Sequence, residues 1–188
     1  MKWTYMKKSK GNTDAARGKL FTRIGKEITV AARLGGSDPN ANPRLREMIA
    51  KGRSHNMPND NIQRCIKRAT EAGGGANYEA MLYEGYGPAG VAVMVEALTD
   101  NKNRTAGEVR SAFEKVGGSL GVSGSVAFAF EKDLEEDEQG NIVEVWKPTF
   151  TVEIPDDKAA AFEKMLNLLD ASDDVQEVYH NALMAEEE

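Results

Sequence analysis

The spacing of apolar residues predicts three amphipathic helices within the first seventy residues. Apolar side chains recur at intervals of three and four residues over 20–36, 42–53 and 57–69. Pro43 suits the first position of the second helix, and Pro58 with the Asn/Asp cluster behind it opens the third. Amphipathic helices with short connections are typical of a helical bundle. The sequence therefore predicts a small three-helix bundle.

From residue 90 onwards the pattern switches between strand and helix. Alternating apolar residues predict strands over 90–98, 124–132 and 149–154, and a short fourth strand over 175–181. Helical spacing predicts helices over 103–118 and 156–172, with Thr105 and Glu108 as a capping box in the first. This β-α-β-β-α-β order indicates a ferredoxin-like domain with both helices on one face. The predicted fold class is α+β, an N-terminal three-helix bundle followed by a ferredoxin-like βαββαβ domain.

The charge of the chain changes sign close to the end of the predicted bundle. Residues 1–70 hold 16 Lys+Arg against 5 Asp+Glu, a net charge of +11, whereas residues 71–188 hold 8 against 25, a net charge of −17. A Gly-rich break over 71–77 separates the two parts. We therefore predict a basic helical nucleic-acid-binding domain over 1–72, with a mobile N-terminal arm, and an acidic α/β domain over 73–188.

An acidic run lies between the second and third predicted strands. Six acidic residues fall between Glu131 and Glu138, and Gly140-Asn141 behind them favours a turn. Because like charges repel one another in a packed element, the run predicts a solvated acidic hairpin at 131–141. A metal site is the alternative, but the run lacks the alternating Asp/Asn-with-Gly pattern of a calcium loop.

Basic residues on the outward faces of the three helices, and in the arm before them, are candidate ligands of nucleic acid. Lysines interleaved with aromatic residues suit phosphate contact combined with base stacking. The sequence reveals no helix pair with the turn spacing of a DNA-recognition unit and with Asn, Gln or Arg at its start, so the pattern favours RNA slightly over DNA. The candidate nucleic-acid-binding residues are Lys2, Trp3, Lys7, Lys8, Lys10, Arg17, Lys19, Arg23, Lys26, Arg33, Arg44, Arg46, Lys51, Arg53, Arg64, Lys67 and Arg68.

The residues that most enzymes and metalloproteins need are scarce. His55 and His180 have no Cys or acidic neighbour at metal-ligand spacing, and the single Cys65 sits in an apolar helical pattern, which favours a buried thiol. The Gly-rich segments match no phosphate-binding motif, although residues 117–125 could bring backbone close to a ligand instead of serving as a turn. The chain has neither an apolar N-terminal stretch nor a membrane-length apolar run. We expect no catalysis, no cofactor, no metal, no membrane partner and a cytoplasmic location.

Five blocks, at 18–46, 56–69, 77–105, 117–132 and 174–182, together resemble the YebC/PmpR family in sequence and order. The resemblance implies a helical first domain followed by two α/β domains, the last inserted within the second. It also implies a DNA-binding transcriptional regulator, or a factor in ribosome-associated translation like the mitochondrial translational activator among its relatives. The inserted third domain is expected to be absent here, and the acidic hairpin to take its place.

The sequence thus leads to two functional hypotheses. The first is a non-enzymatic regulator of gene expression that binds ribosomal RNA at the ribosome, or DNA. The alternative is a protein-interaction module that engages a protein partner through the acidic α/β domain without direct nucleic-acid binding. Salt-dependent self-association without affinity for nucleic acid would favour the alternative.

Overall fold

The computed structural model describes residues 14–71 and 77–183, and these residues have an α+β architecture, as the sequence predicts. They form two compact units. The helical unit runs up to Tyr78 and includes Glu136–Ile142, and the α/β unit comprises Glu79–Glu135 and the residues from Val143 onwards. Within the described residues, no helix is both long enough and apolar enough to cross a membrane.

The helical unit contains the three predicted helices, α1 (Asp14–Gly35), α2 (Pro43–Ser54) and α3 (Asn59–Thr70). Pro43 occupies the start of α2, and Asn42 caps it by accepting a hydrogen bond from the Leu45 backbone N–H at 3.1 Å. The Asn42 amide also donates to the carbonyls of Ala31 and Gly36, each at 2.8 Å. One buried side chain thus ends α1 and begins α2.

Helix α1 packs along both α2 and α3 and supplies much of the shared core. Ile24, Ile28, Leu45 and Ile62 are fully buried there, and each such side chain contributes about 1.5–3 kcal/mol of transfer free energy. Gly25 permits the close approach of α1 and α3, because a Cβ at this position would lie 3.0 Å from the Cys65 Sγ. Within the same unit, the Asn141 amide donates to the Ser54 hydroxyl at 2.9 Å.

The α/β unit contains eight described strands and two α-helices. They are β1 (Glu79–Tyr86), β2 (Ala92–Thr99), α4 (Lys102–Glu114), β3 (Ser119–Leu120), β4 (Phe130–Glu136), β5 (Ile142–Pro148), β6 (Val152–Glu153), α5 (Asp156–Asp170), β7 (Val175–His180) and β8 (Ala182–Leu183). The unit is built on a four-stranded antiparallel sheet in the order β3-β1-β2-β7. A hairpin of β4 and β5 and a parallel pair of β6 and β8 lie outside this sheet.

Both faces of the sheet are covered. Val93 and Val95 of β2 face the two helices, where Phe113 of α4 and Phe162 of α5 are fully buried. The alternate residues of the strands point to the opposite face, as the two-residue period of a strand requires. There Met94 and Tyr179 pack with Val126, Phe130 and Val145. The predicted placement of both helices on one face is therefore correct, and the hairpin covers the other face.

The order of elements along the chain differs from the predicted β-α-β-β-α-β order. Strand β1 was not predicted, because Glu79–Tyr86 lacks β-branched residues and includes a glycine. The predicted strand over 124–132 is wrong in its first part, since Val126 and Ala129 are both buried while Phe128 points to solvent, which is the spacing of the 3-10 turn at Ala127–Ala129. Of the predicted strand over 149–154, only Val152–Glu153 is a strand, and it pairs with β8.

The predicted capping box of α4 is also wrong. The helix begins three residues before Thr105, at Lys102, and its cap is Asn101, whose side chain accepts from the Arg104 N–H at 3.1 Å. Thr105 is fully buried, and its hydroxyl donates to Asp174 Oδ2 at 2.8 Å. The Thr105 hydroxyl therefore forms a hydrogen bond inside the unit and does not cap the helix.

Candidate nucleic-acid interface

Helix α3 leaves most of its circumference open to solvent. Ile62 and Ile66 are its only fully buried residues, and its other apolar side chains are half-buried. Arg64, Lys67 and Arg68 are exposed, and Lys67 and Arg68 lie three and four residues after Arg64, which places both beside it on one face of the helix. We call these three residues the α3 basic face. The Lys67 ammonium lies 3.5 Å from a carboxylate oxygen of Glu71, a solvent-exposed pair that constrains it weakly.

Helix α2 carries three exposed arginines. Arg46 and Arg53 lie seven residues apart and therefore on the same face of the helix. The Arg46 guanidinium donates to the Pro39 carbonyl at 3.0 Å, and Arg44 lies 3.5 Å from Glu47. Arg53 is close to the end of the helix and precedes the connection to α3. The three arginines of α2 therefore face outwards, as the sequence predicts, whereas Lys51 of the same helix does not.

The basic residues of α1 are less uniformly exposed than predicted. Arg17 is exposed, while Lys19, Arg23 and Arg33 are half-buried. The Arg33 guanidinium donates to the Asn77 side-chain oxygen at 2.7 Å. These three side chains keep part of their length against the protein, as long cationic side chains commonly do.

Two predicted ligands have structural partners instead of an outward position. Lys26 is only 8% exposed, and its ammonium lies 5.3 Å from the centre of the Tyr78 ring, within cation–π range. The Lys51 ammonium lies 3.1 Å from Glu27 Oε2, and both side chains are about four-fifths buried (exposed fractions 19% and 21%). The prediction that every basic residue faces outwards is wrong for Lys26, because the helix turns it towards the segment leading into β1.

Five predicted ligands, Lys2, Trp3, Lys7, Lys8 and Lys10, lie outside the described residues. The described part of the bundle remains basic without them, since residues 14–71 hold 12 Lys+Arg against 6 Asp+Glu. Its exposed cations are Arg17, Arg44, Arg46, Arg53, Arg64, Lys67 and Arg68. A surface of this composition attracts polyanions, of which nucleic acid is the commonest.

The connection between α2 and α3 is a tight four-residue turn, His55–Pro58. Asn56 adopts the left-handed conformation, with φ of 62°, and the Met57 N–H donates to the Gly52 carbonyl at 2.9 Å. Met57 itself is buried in the core. The length of this turn and the exposed Asn59 and Gln63 were missed in the sequence, whereas Arg64 was among the predicted ligands. The argument against DNA relied on the absence of a short connection between two helices, and the structure does have one between α2 and α3, which the short distance between the two apolar stripes could have indicated. The choice between RNA and DNA stays a prediction.

Cys65 lies on α3 beside the basic face but is poorly suited to reaction. Burial raises the pKa of its thiol, against smaller opposing effects of the Thr29 hydroxyl and of Arg68 and Arg64. The thiol therefore stays protonated at neutral pH. Its position against Gly25 matches the predicted packing role.

The Gly-rich loop at 117–125 is held by a buried carboxylate. Glu84 of β1 accepts hydrogen bonds from the backbone N–H groups of Gly124 and Val126, and the Gly121 N–H donates to the Glu84 carbonyl at 2.8 Å. These three backbone donors are thus engaged within the protein. Over residues 14–71 and 77–183, no group of three or more His, Cys, Asp or Glu side chains is arranged to hold a metal ion.

Two family models match the chain. The one described as the TACO1/YebC protein N-terminal domain matches residues 1–72. The one described as the TACO1/YebC second and third domain matches residues 78–135 and 132–182. The last two stretches overlap at residues 132–135, within β4, at the hairpin where the sequence predicts that an inserted domain is missing.

Proteins of known sequence and structure resemble the chain over almost their whole length. A probable transcriptional regulatory protein of Clostridium botulinum (strain Eklund 17B / Type B) is 46% identical over 233 positions, which cover 96% of this chain and 95% of that protein. A protein of the same description from Thermoanaerobacter pseudethanolicus is 39% identical over 238 positions, covering 99% and 97%. The crystal structure of the conserved hypothetical protein Aq1575 from Aquifex aeolicus superposes with a TM-score of 0.86 at 37% identity, covering 98% of each chain.

The alignments with these relatives are longer than the chain itself. They extend over 233 and 238 positions, whereas the chain has 188 residues. The relatives therefore contain residues that have no counterpart in this chain.

Proposed function

The chain belongs to the TACO1/YebC family, and we propose that it is a non-enzymatic regulator of gene expression that binds nucleic acid through its helical unit. Relatives at 39–46% identity are named probable transcriptional regulatory proteins. We assign the binding to the basic domain, residues 1–72, and regard residues 73–188 as a separate acidic domain that carries the hairpin at 131–141. The protein acts in the cytoplasm, on DNA or on ribosomal RNA.

The observation that carries this proposal is the concentration of exposed cations on the three helices. Seven of the twelve described basic residues of the unit are exposed, and they are spread over α1, α2 and α3. Each cation that neutralises a phosphate releases condensed counterions, so affinity falls steeply as salt rises. The names of the relatives make duplex DNA the first ligand to test, and structured RNA is the second.

The test is a binding titration of the full chain against a labelled 20-base-pair duplex and a labelled RNA hairpin, by fluorescence anisotropy. We expect binding at 50 mM KCl that weakens strongly by 200 mM. Arg53→Ala and Arg68→Ala should each weaken binding and reduce the slope of log K against log salt by about 1. Arg110→Ala on α4, which replaces an exposed arginine in the α/β unit, is the matched control and should bind like the parent. Absence of binding to both ligands at 50 mM KCl would refute the proposal.

A second candidate function is docking of a protein partner on the acidic α/β domain, and one observation favours it. Phe128 and Phe150 are 64% and 47% exposed, and their rings stack with centroids 6.1 Å apart. Exposed aromatic residues are enriched at protein interfaces. If this were the function, Phe128→Ser would abolish the regulatory effect in cells, while nucleic-acid binding in the titration above would be absent from the parent protein.

A further inference from the structure

We propose that α2, the turn His55–Pro58 and α3 form a helix-turn-helix, and that α3 enters the major groove of duplex DNA. This inference rests on the proposed function and specifies it further, since it names the ligand and the element that reads it. In a helix-turn-helix, the second helix lies in the groove with its N-terminal residues on base edges, while the first helix crosses the phosphate backbone.

The architecture of the helical unit fits this arrangement. Helices α2 and α3 each have twelve residues and are joined by four, which is the connection length of the motif. Helix α1 packs against both of them, whereas α2 and α3 touch each other far less. The turn is fixed from within by the buried Met57 and by backbone hydrogen bonds to the last turn of α2. Helix α1 and the turn therefore fix α2 and α3 on their inner sides, and the outer side of α3 remains exposed to solvent.

The side chains at the start of α3 can read base edges. Asn59, Gln63 and Arg64 are all exposed in its first two turns. Asparagine and glutamine form paired hydrogen bonds with adenine in the major groove, and arginine does so with guanine. Asp60 in the first turn stabilises the helix N-terminus, and a carboxylate at a base edge accepts from the cytosine amino group. The first two turns of α3 thus carry the chemistry of direct readout.

Phosphate contacts are available on either side of these residues. Arg46 and Arg53 lie on one face of α2, and Arg53 lies two residues before the first residue of the turn, His55. Lys67 and Arg68 occupy the later turns of α3. Basic residues that flank a reading helix fix its register on the duplex without reading the sequence themselves.

The dimensions of the groove favour DNA over double-stranded RNA for this element. An α-helix with its side chains is about 10–12 Å across, and the major groove of B-form DNA is about 12 Å wide. The major groove of A-form RNA is deep and narrow and does not admit side chains for reading. A helix presented in this way is therefore suited to duplex DNA.

The test is a selection of duplexes from a random-sequence library with the full chain, followed by titration of the enriched duplex against a scrambled one. We expect a short enriched motif. Gln63→Ala and Arg64→Ala should each reduce discrimination between the two duplexes by about 5- to 150-fold, the equivalent of one lost base contact. Arg53→Ala should weaken binding to both duplexes equally and leave discrimination unchanged, and Arg110→Ala should change neither. Circular dichroism checks that every variant keeps its helices.

The outcomes separate this inference from the proposed function. Salt-dependent binding of RNA or DNA without any enriched duplex motif would overturn the inference and leave the proposed function standing. An enriched motif whose discrimination survives Gln63→Ala and Arg64→Ala would also overturn it, because another element would then read the bases. Failure to bind any nucleic acid at 50 mM KCl would overturn both.

Discussion

Asp174 of the α/β unit is a buried carboxylate that accepts hydrogen bonds from two neighbouring side chains. It is 2% exposed, and its two oxygens accept from the Arg104 guanidinium at 2.8 and 3.0 Å and from the Thr105 hydroxyl at 2.8 Å. Hydrogen bonding to Asp174 first, and to Asp100 second, raises the pKa of Arg104 above its ordinary value. A buried carboxylate is tolerated only when such donors surround it. The cluster joins the end of β2, the start of α4 and the loop before β7.

Replacing Thr105 by valine should destabilise the protein by about 1–3 kcal/mol, because the buried Asp174 carboxylate loses a donor while the volume of the side chain is nearly kept. Urea denaturation measures this free energy of unfolding. Thr22→Val on α1 is the matched control, since that hydroxyl is exposed and bonds only the Gly18 carbonyl of its own helix. It should change stability by less than about 0.5 kcal/mol. Equal effects of the two substitutions would contradict the assigned role of Thr105.

At the scale of secondary structure, helices were predicted more accurately than strands. The stripes of α2, α3 and α5 follow directly from residue spacing, because each helix buries a single continuous face. Strand β1 carries Glu84 inside the protein and exposes Leu82, so its alternation is inverted locally. The burial of Glu84 depends on backbone donors from residues 124 and 126, some forty residues away. The pattern of apolar and polar residues within a strand contains no information about such a long-range hydrogen bond, so it could not predict β1.

The acidic hairpin tip should be stabilised by deprotonation of Asp137. Burial raises the pKa of this carboxyl, but hydrogen bonds from the Asn141 side chain and from the backbone N–H groups of Asn141 and Gln139 outweigh that effect, so its pKa is lowered from 3.8. A lowered pKa in the folded state means that this stabilisation is complete above about pH 3.8 and is lost as pH falls through the folded value.

NMR titration of the Gln139 and Asn141 amide shifts measures this pKa directly. We expect a midpoint below 3.8 in the parent protein and a higher midpoint in Asn141→Ala, which lacks the side-chain donor. A parent midpoint at or above 3.8 would show that the hydrogen bonds do not compensate for burial.

At the scale of the molecule, each unit has a hydrophobic core of its own. The core of the helical unit is built on Ile24, Ile28 and Ile62, and the two layers of the α/β unit are built on residues from 91 onwards. The charge split of the sequence follows this division except at the acidic segment Glu136–Ile142, which belongs to the helical unit: 14–71 is basic, and the described residues beyond it are predominantly acidic. The change of charge along the chain could be read from composition. The readout role that we propose for α3 could not, because it depends on the turn between α2 and α3, which patterning did not reveal.

Separate cores predict that damage to one unit is confined to it. Phe162→Ala removes a fully buried ring that meets His180 edge to face at 5.0 Å, and it should cost about 3–5 kcal/mol. Hydrogen exchange measured by mass spectrometry should show lost protection in β2, α4 and α5, with α1–α3 unchanged. Leu45→Ala in the bundle is the reciprocal control and should affect α1–α3 alone. Protection lost throughout the chain in both variants would show a single cooperative unit.

The β4–β5 hairpin also bears on the history of the sequence. Its two strands pair with each other and lie outside the four-stranded sheet, so the chain enters and leaves the hairpin at neighbouring points. The free energy of closing a loop between fixed ends grows only slowly with the length of the loop. Evolution can therefore lengthen or shorten the chain at this place without disturbing the register of the central strands. A lineage could exchange a whole inserted segment for a five-residue turn and keep the same sheet.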